Sequence, residues 1–147
     1  MKDSERRLTA LLRLRGIDFF DGLDAKELAA IAAISTEEVY RRAEVIFEQG
    51  DMGDHMYILL SGRVEVVRDG ELVATLESGD CFGEGAVLDR AARSATIRTV
   101  EEVTRLVVIA REDLVELLEL YPSVARAICM TLVGRLRTLS DAIFASG

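Results

Sequence analysis

The clearest indication of the fold class is a hairpin pattern in the middle of the chain, Val64-Glu-Val-Val-Arg-Asp-Gly-Glu-Leu-Val-Ala-Thr-Leu76. Two runs rich in β-forming residues, Val64–Val67 and Leu72–Leu76, flank the dipeptide Asp69-Gly70. A type I′ turn needs a positive φ at both of its central residues, and Asp-Gly accepts that conformation. The segment therefore predicts two antiparallel strands with Asp69-Gly70 at the tip.

Further short β-rich runs lie on both sides of this hairpin. They are Val39-Tyr40, Val45–Phe47, Met56–Leu60, Ala95–Val100 and Val103–Ile109. Turn residues separate them, at Gly50-Asp51, Gly53-Asp54, Ser61-Gly62 and Ser78-Gly79-Asp80. Short strands at regular spacing are typical of a closed barrel or jelly roll. We expect a mainly β fold with flanking helices, in which an eight-strand β-roll (a jelly roll, or double-stranded β-helix) occupies residues 37–110.

Helical patterns precede the β-rich region, in an N-terminal segment that covers residues 1–36. Leucines at three- and four-residue spacing predict a helix from about Ser4 to Arg15. Asp24 and Glu27 have the spacing of a capping box and predict the start of a second helix that ends near Ile34.

Residues 111–147 return to a helical pattern. Arg111–Leu120 predicts one helix, and Pro122 fits the first position of another that runs toward Phe144. The apolar residues of this last helix recur at alternating three- and four-residue steps, as in a coiled-coil seam. They are Ala125, Ile128, Leu132, Leu136, Leu139 and Ile143. The sequence leaves open whether the seam packs back on the β-roll or pairs with a second copy in a homodimer.

Length and charge exclude several classes of protein. The 147 residues favour one domain over residues 1–147, and 18 Lys and Arg against 26 Asp and Glu give a net charge of −8. Nucleic-acid surfaces need clustered basic residues, so we expect no direct nucleic-acid partner. A single histidine, His55, excludes metal or catalytic sites built on several histidines. We therefore expect no metal and no catalytic residue.

The cysteines and the N-terminus favour a cytoplasmic protein. Cys81 and Cys129 are far apart and form no CxxC motif, which is typical of free thiols in a reducing compartment. Arg13 and Arg15 interrupt the first apolar stretch, which excludes a signal peptide. The longest apolar runs, such as Leu106–Ala110, are too short to cross a bilayer, so we expect no membrane insertion.

Chemistry is concentrated in the stretch Cys81-Phe-Gly-Glu-Gly-Ala-Val-Leu-Asp-Arg-Ala-Ala-Arg-Ser-Ala-Thr96. Gly83 and Gly85 allow a ligand to approach the backbone closely, and a helical turn that starts here would present N–H groups to an anion. The planar guanidinium of Arg93 can hold a phosphate through paired hydrogen bonds. Glu84 would repel a phosphate, so it fits a sugar hydroxyl instead. Together these residues predict a ribose-phosphate site.

Each part of this pattern also has a simpler interpretation. Gly-Glu-Gly often forms only a turn, and Glu84 and Arg93 could form an exposed ion pair of little energetic value. His55 lies in the Gly-Asp turn region and is interpreted as a solvated loop residue.

The stretch 82–96 resembles the phosphate-binding cassette of the cyclic nucleotide-binding domain family. It has the family's Phe-Gly-Glu at 82–84, the apolar residues at 86–88 and Ala-Arg-Ser-Ala-Thr at 92–96, with no gap. The family is the one found in catabolite activator protein, in regulatory subunits of protein kinase A and in cyclic-nucleotide-gated channels.

Two further segments support this resemblance. Gly50-Asp51 and Gly53-Asp54, followed by Met56–Gly62 and Val64, resemble the family's early-strand motif. Phe19–Leu23 resembles the segment with which the family's domain begins. The resemblance extends from about Ile17 to Phe144.

The resemblance implies a role for each cassette residue. Glu84 would accept a hydrogen bond from the ribose 2′-hydroxyl, and Arg93 would pair with the exocyclic phosphate oxygens. Backbone N–H groups and the Ser94 hydroxyl would complete the phosphate cradle, and Arg137 and Ser140 on the last helix would cap the base. The implied ligand-binding set is Gly83, Glu84, Gly85, Ala86, Arg93, Ser94 and Ala95.

The resemblance also implies a sensor that is not an enzyme. It would bind cAMP or cGMP as a ligand, need no cofactor, and transmit the ligand state through its C-terminal helices. Its partner would be either a second copy of the chain, in a homodimer through the C-terminal helix, or an effector domain in a longer protein. A jelly-roll enzyme of the cupin kind would need several histidines as metal ligands.

Two departures from the family pattern affect the ligand. Gly85 replaces the apolar side chain usual after the Glu, which removes packing under the cassette. This departure favours the alternative of an interaction or scaffold domain without a ligand. Ser94 stands where, in some members, Thr favours cGMP and Ala favours cAMP. Ser leaves that choice open, and the resemblance to the bacterial transcription-factor branch gives a lean toward cAMP over cGMP.

Overall fold

The computed structural model describes residues 22–146. The helix predicted from Ser4 to Arg15 lies outside these residues, as does most of the motif Phe19–Leu23. The second predicted helix is present and begins with a capping box. The Glu27 N–H donates to Asp24 Oδ1 at 2.9 Å, and the Asp24 N–H donates to Glu27 Oε1 at 3.0 Å.

Within residues 22–146, a first helix is followed by eight strands, with a short helix between the sixth and seventh strands and two more helices after the eighth. They are α1 Ala25–Ile34, β1 Thr36–Arg41, β2 Val45–Phe47, β3 His55–Ser61, β4 Arg63–Arg68, β5 Glu71–Glu77, β6 Cys81–Phe82, α2 Glu84–Asp89, β7 Thr96–Thr99, β8 Val103–Ala110, α3 Arg111–Leu120 and α4 Pro122–Ser146. The strands form two four-stranded antiparallel sheets, in the orders β1-β8-β3-β6 and β2-β7-β4-β5. The mainly β fold class with flanking helices is confirmed.

The central hairpin forms with the predicted turn. Asp69 and Gly70 have φ values of 51° and 80°, and Arg68 pairs with Glu71 across the turn. Gln49, in the loop after β2, binds the tip of the hairpin at Asp69. Its side-chain amide donates to Asp69 Oδ1 and accepts from the Asp69 N–H, each at 2.8 Å. This clamp ties the hairpin to the loop between β2 and β3.

Strand β3 is buried on both faces. Met56, Ile58 and Leu60 pack in a core shared with helices α1, α3 and α4. Tyr57 and Leu59 point the other way, into a second core between the sheets. This explains why the strand has an uninterrupted apolar sequence instead of alternating polar and apolar residues.

The first half of α4 packs on the β-roll. Val124 and Ile128 are buried in the helix-side core, and Leu132 is partly buried against it. Leu136 is 64% exposed. The predicted seam therefore divides along the helix, since Ile128 and Leu132 pack in the helix-side core and Leu136 is largely exposed. The seam positions Leu139 and Ile143 lie outside the side chains that the structure describes.

Within residues 22–146, no single helix has the length and apolar composition needed to span a bilayer. Helices α3 and α4, taken together up to Thr138, meet both criteria, but the two are bent by 111° relative to each other.

Candidate functional site

A cavity of about 410 Å³ lies between the hairpin, the segment that contains α2, and α4. Its size falls within the range of small-molecule sites. Most of its wall is apolar, and the charged side chains come from α2, the loop after it and α4. The lining residues are Phe47, Val66, Ala74, Leu76, Phe82, Gly83, Glu84, Gly85, Asp89, Ala91, Ala92, Arg93, Ser94, Ala95, Ile97 and Arg135.

Arg93 is a buried cation at one end of this cavity, only 5% exposed. Its Nη1 donates to the Gly83 carbonyl and its Nη2 to the His55 carbonyl, both at 2.8 Å. The guanidinium also lies over the Phe47 ring, 4.1 Å from the centroid. Burial lowers the pKa of Arg93 from its usual value, although an arginine side chain stays protonated in proteins.

No carboxylate neutralises this buried charge through an ion pair within the described part of the chain. Its Nε has no hydrogen-bond partner among residues 22–146 either. A buried charge without a partner is costly, so natural proteins usually pair it. An anionic ligand in the cavity would supply the missing partner.

Two glycines make room for the Arg93 guanidinium. A Cβ atom on Gly53 would overlap the Nε and Cζ atoms of Arg93. A Cβ atom on Gly83 would lie 2.8 Å from Arg93 Nη1, and Gly83 has a φ of 81° that other residues rarely adopt. The Gly-Asp turn after β2 therefore contributes directly to the site, because its second glycine forms one wall of the arginine slot.

We expect Gly53→Ala to weaken anion binding by at least about tenfold, or about 1.4 kcal/mol. The added methyl group must displace the Arg93 guanidinium from its two carbonyl partners, and a side-chain shift of this kind leaves the fold intact. Titration calorimetry gives the affinity, and thermal unfolding shows whether the variant is folded. Unchanged affinity in Gly53→Ala would show that the observed position of Arg93 does not matter for binding.

The backbone of Arg93 is fixed as firmly as its side chain. The Arg93 N–H donates to the Asp51 carbonyl, and the Gly50 N–H donates to the Arg93 carbonyl, each at 2.8 Å. These bonds attach the end of the cassette to the same loop that holds the hairpin tip through Gln49. One short loop thus positions both the charged end and the apolar wall of the cavity.

Glu84 is the second charged group in the cavity and is 8% exposed. Its Oε1 accepts from Arg135 Nη1 at 3.1 Å, whereas its Oε2 is buried without a hydrogen-bond donor in the structure. An ion pair between Glu84 and Arg93, the simpler interpretation of the sequence, is not formed. The free Oε2 can accept a hydrogen bond from a ligand hydroxyl.

Burial and the nearby Glu84 carboxylate raise the pKa of the Cys81 thiol to about 12. The thiol behind the cassette therefore stays protonated and acts as a small apolar side chain.

Arg135 is a cavity residue that the sequence analysis missed. Arg137 and Ser140, the predicted base-capping residues, are exposed and do not line the cavity. Arg135 follows the buried Ile128 by seven residues, which places both on the same face of α4. Ile128 and Leu132 lie on the face of α4 that packs on the β-roll, and the helical repeat places Arg135 next on that face. This periodicity is the sequence signal that indicates Arg135.

The other predicted residues lie around α2. Gly85, Ser94 and Ala95 line the cavity, and Ala86 follows Gly85 in α2, although its side chain is outside the description. Gly83 is the N-cap residue of α2 and provides no side-chain cap to the first turn. Among residues 22–146, no cluster of His, Cys, Asp or Glu has the arrangement of a metal site.

We expect Gly85→Ala to stabilise the unliganded protein by about 0.5 kcal/mol, and the ligand affinity of the variant shows whether the bound ligand occupies the space at Gly85. A Cβ atom at Gly85 meets no atom of the described part of the chain within 4 Å, and glycine is less favourable than alanine in a helix. Thermal unfolding and calorimetry test this expectation. Gly134→Ala in α4, where a Cβ atom also meets nothing, is the matched control outside the cavity. Loss of ligand affinity in Gly85→Ala alone would show that the open space at Gly85 is needed.

Comparison with known proteins identifies related chains. The family model described as "Cyclic nucleotide-binding domain" matches residues 37–121. The cyclic AMP receptor protein of Thermus thermophilus is 33% identical over 129 residues, which cover 84% of this chain and 59% of the relative. A cGMP-dependent protein kinase of Toxoplasma gondii is 39% identical over 99 residues, which cover 67% of this chain and 10% of the kinase.

A solved structure shows the same relationship. The crystal structure of the Thermus thermophilus catabolite activator protein superposes with a TM-score of 0.74 at 32% identity. The superposition covers 87% of this chain and 62% of the other. The chain thus spans less than two thirds of the length of each of these relatives.

Proposed function

The chain belongs to the cyclic nucleotide-binding domain family, and from this membership we propose that it senses a 3′,5′-cyclic purine nucleotide held in the cavity beside Arg93. In this proposal the exocyclic phosphate oxygens pair with Arg93. The ribose 2′-hydroxyl donates to Glu84, and the base lies against the apolar wall of the hairpin. The chain acts as a binding module and not as an enzyme.

The observation that supports this proposal most strongly is the buried, unpaired charge of Arg93. Two backbone carbonyls hold its guanidinium in place, but carbonyls do not neutralise a full positive charge. A cyclic phosphate carries one negative charge and two exocyclic oxygens, which match a guanidinium edge. The uncapped first turn of α2 and the Ser94 side chain, next to Arg93, are available for the remaining phosphate contacts.

The second supporting observation is the unpartnered Oε2 atom of Glu84. A carboxylate close to an anion site is unfavourable unless it meets a hydrogen-bond donor. A ribose hydroxyl is such a donor, and it can reach Oε2 while Oε1 keeps its bond to Arg135. The donor and acceptor pattern of the cavity therefore fits a ribonucleotide better than an inorganic anion.

The relatives do not decide between cAMP and cGMP. One is a cyclic AMP receptor protein and another is a cGMP-dependent protein kinase. Ser94 differs from both the Thr and the Ala that mark the two preferences, so the lean of the sequence toward cAMP stays a prediction.

Titration calorimetry with cAMP and with cGMP tests the proposed function, with 5′-AMP and 5′-GMP as noncyclic controls. We expect saturable binding of at least one cyclic nucleotide and weaker binding of the matching noncyclic nucleotide. No heat from either cyclic nucleotide at millimolar concentration would contradict the proposal. That result would favour the alternative of a β-roll scaffold with a degenerate cassette.

We propose that the ligand signal leaves the domain through α4. Arg135 joins α4 to the cassette through its 3.1 Å bond to Glu84, so a ligand that contacts Glu84 also affects the helix. A ligand shifts a conformational equilibrium only through contacts that differ between the states. The exposed side chains of Met130, Val133 and Leu136 give this helix an outer apolar face that can pair with a second copy.

Hydrogen exchange with and without cyclic nucleotide measures this transmission. We expect slower amide exchange both at residues 83–86 and at residues 135–140 when the ligand is bound. In Arg135→Ala, the protection at residues 135–140 should decrease while that at residues 83–86 persists. Protection confined to residues 83–86 in the unmodified protein would show that α4 does not carry the signal.

The wider setting of the domain is also a proposal. The chain spans only part of its curated relatives, which include a protein kinase and a putative potassium channel protein. We propose a cytoplasmic module that acts either as a homodimer through α4 or as the regulatory part of a larger protein, without direct contact to nucleic acid.

A further inference from the structure

Gln49 links the tip of the central hairpin to the loop that holds the charged end of the cavity. Strand β4 pairs with β7 as far as Val67, whose partner Thr96 is the first residue of β7. The tip, residues 68–71, lies beyond this pairing. There the Gln49 side-chain amide donates to Asp69 Oδ1 and accepts from the Asp69 N–H, each at 2.8 Å. The clamp therefore attaches the part of the hairpin that β7 does not pair with.

The end of the hairpin buries little surface of its own. Every residue of β5 from Glu71 to Thr75 is exposed, including Leu72 at 55% and Val73 at 56%. Burial of apolar surface is the main source of stability in folded proteins, and this segment gains little of it. Two hydrogen bonds, one of them to a carboxylate, therefore matter more for the position of the tip than they would in a packed element.

The backbone around Gln49 is bonded to the cassette. The Gln49 N–H donates to Thr96 Oγ1 at 2.9 Å, and the N–H of the next residue, Gly50, donates to the Arg93 carbonyl at 2.8 Å. A backbone hydrogen bond of 3.0 Å between its first and last residues closes the turn 48–51. A short, hydrogen-bonded connection thus runs from Arg93 through Gln49 to the hairpin.

The two ends of this connection meet different parts of a nucleotide under the proposed function, on which this inference rests. The phosphate pairs with Arg93. The base lies against the hairpin residues that line the cavity, which are Val66, Ala74 and Leu76. Gln49 does not line the cavity itself. We propose that Gln49 is a positioning residue, which holds the wall for the base at a fixed distance from the phosphate end and thereby raises the affinity for the nucleotide.

Calorimetry on the full chain, with whichever of cAMP and cGMP binds more tightly, tests the proposal. The apparent affinity of a ligand falls with the fraction of molecules that have the hairpin in place. Hydrogen bonds of this kind shift such an equilibrium by about 3- to 10-fold, so we expect Gln49→Ala to weaken binding by that factor. Thermal unfolding shows that the variant is folded.

Exchanging the two functional groups tests the clamp itself. Gln49→Glu places a carboxylate against that of Asp69 and should weaken binding at least as much as Gln49→Ala. Asp69→Asn should bind within about twofold of the unmodified protein, since its amide oxygen still accepts from Gln49 and Asn-Gly suits the turn. When Gln49→Glu and Asp69→Asn are combined, the amide at position 69 donates to the carboxylate at position 49, and the affinity should recover to within about twofold. Effects of net charge on an anionic ligand add, whereas a direct contact gives a coupling energy between the two substitutions.

Hydrogen exchange of the unliganded protein shows which end of the cavity the clamp controls. In Gln49→Ala we expect faster amide exchange at residues 68–75 and unchanged exchange at residues 92–95, where the Arg93 N–H keeps its bond to the Asp51 carbonyl. Faster exchange at residues 92–95 would overturn the proposal, because the variant would then have disturbed the phosphate end.

Two results of the calorimetry would also overturn it. One is an affinity in Gln49→Ala equal to that of the unmodified protein, and the other is a loss in Gln49→Glu that Asp69→Asn does not reverse. Binding of neither cAMP nor cGMP by the unmodified protein would instead refute the proposed function, and this inference with it.

Discussion

Arg93→Ala is expected to weaken cyclic nucleotide binding by about 2–4 kcal/mol, or about 30- to 1,000-fold. The substitution removes the buried positive charge and leaves a phosphate without its partner. It also leaves the carbonyls of Gly83 and His55 without their donors, so we expect a lower melting temperature in a protein that still folds. Calorimetry and thermal unfolding measure the two effects separately.

Two further variants make this prediction sharper. Arg93→Lys keeps a charge but not the planar fork, so it should recover only part of the lost affinity. Arg98→Ala is the matched control. Arg98 is half exposed, its Nε lies 2.9 Å from Glu65 Oε1, and it does not line the cavity. Wild-type affinity in a folded Arg93→Ala variant would show that the anion binds elsewhere or not at all.

Glu84→Gln is expected to weaken the binding of a cyclic ribonucleotide by about 1.5–3 kcal/mol, which is the usual contribution of a hydrogen bond to a charged group. The substitution keeps the shape of the side chain but removes the charge that Arg135 contacts and that the 2′-hydroxyl would contact in the proposed complex. The 2′-deoxy cyclic nucleotide cannot make this bond, so the same substitution should change its affinity little. Calorimetry of the cyclic ribonucleotide and its 2′-deoxy analogue, each with the unmodified protein and with Glu84→Gln, gives the four affinities of a thermodynamic double cycle.

The size of the coupling energy in this cycle distinguishes two roles for Glu84. A large coupling would identify Glu84 as the acceptor of the sugar hydroxyl. Equal losses for the two ligands would show that Glu84 only shapes the loop through its bond to Arg135.

Local sequence signals predicted the central hairpin and the start of the first described helix. Positive φ at Asp69 and Gly70 is a property of two adjacent residues, and the hairpin forms as that pair indicates. The capping box at Asp24 and Glu27 is equally local, because all its partners lie within one helical turn. Such features depend little on the rest of the fold.

The environment of Arg93 could not be predicted in the same way. Its carbonyl partners lie 10 and 38 residues away in sequence, and every residue type has a carbonyl. The motif Gly-Asp-x-Gly-Asp is visible in the sequence, but the position of Gly53 against the Arg93 guanidinium, which explains the second glycine of the motif, is a property of the folded structure. Contacts with distant backbone atoms leave no pattern in the sequence.

The choice between Arg135 and Arg137 shows another limit of the sequence. Two residues along a helix change the direction of a side chain by about 200°, so the phase of α4 decides which arginine reaches the cavity. That phase is set by Val124 and Ile128, which are buried against the β-roll. The amphipathic pattern of α4 alone was compatible with packing on the roll or on a second copy.

The most direct test of the account is a crystal structure of the protein with a bound cyclic nucleotide, either cAMP or cGMP. The account predicts a ligand in the cavity beside the hairpin, with an exocyclic phosphate oxygen within hydrogen-bond distance of the Arg93 guanidinium. It also predicts the 2′-hydroxyl within hydrogen-bond distance of a Glu84 oxygen. A nucleotide bound outside this cavity, or bound in it with its phosphate away from Arg93, would contradict the account.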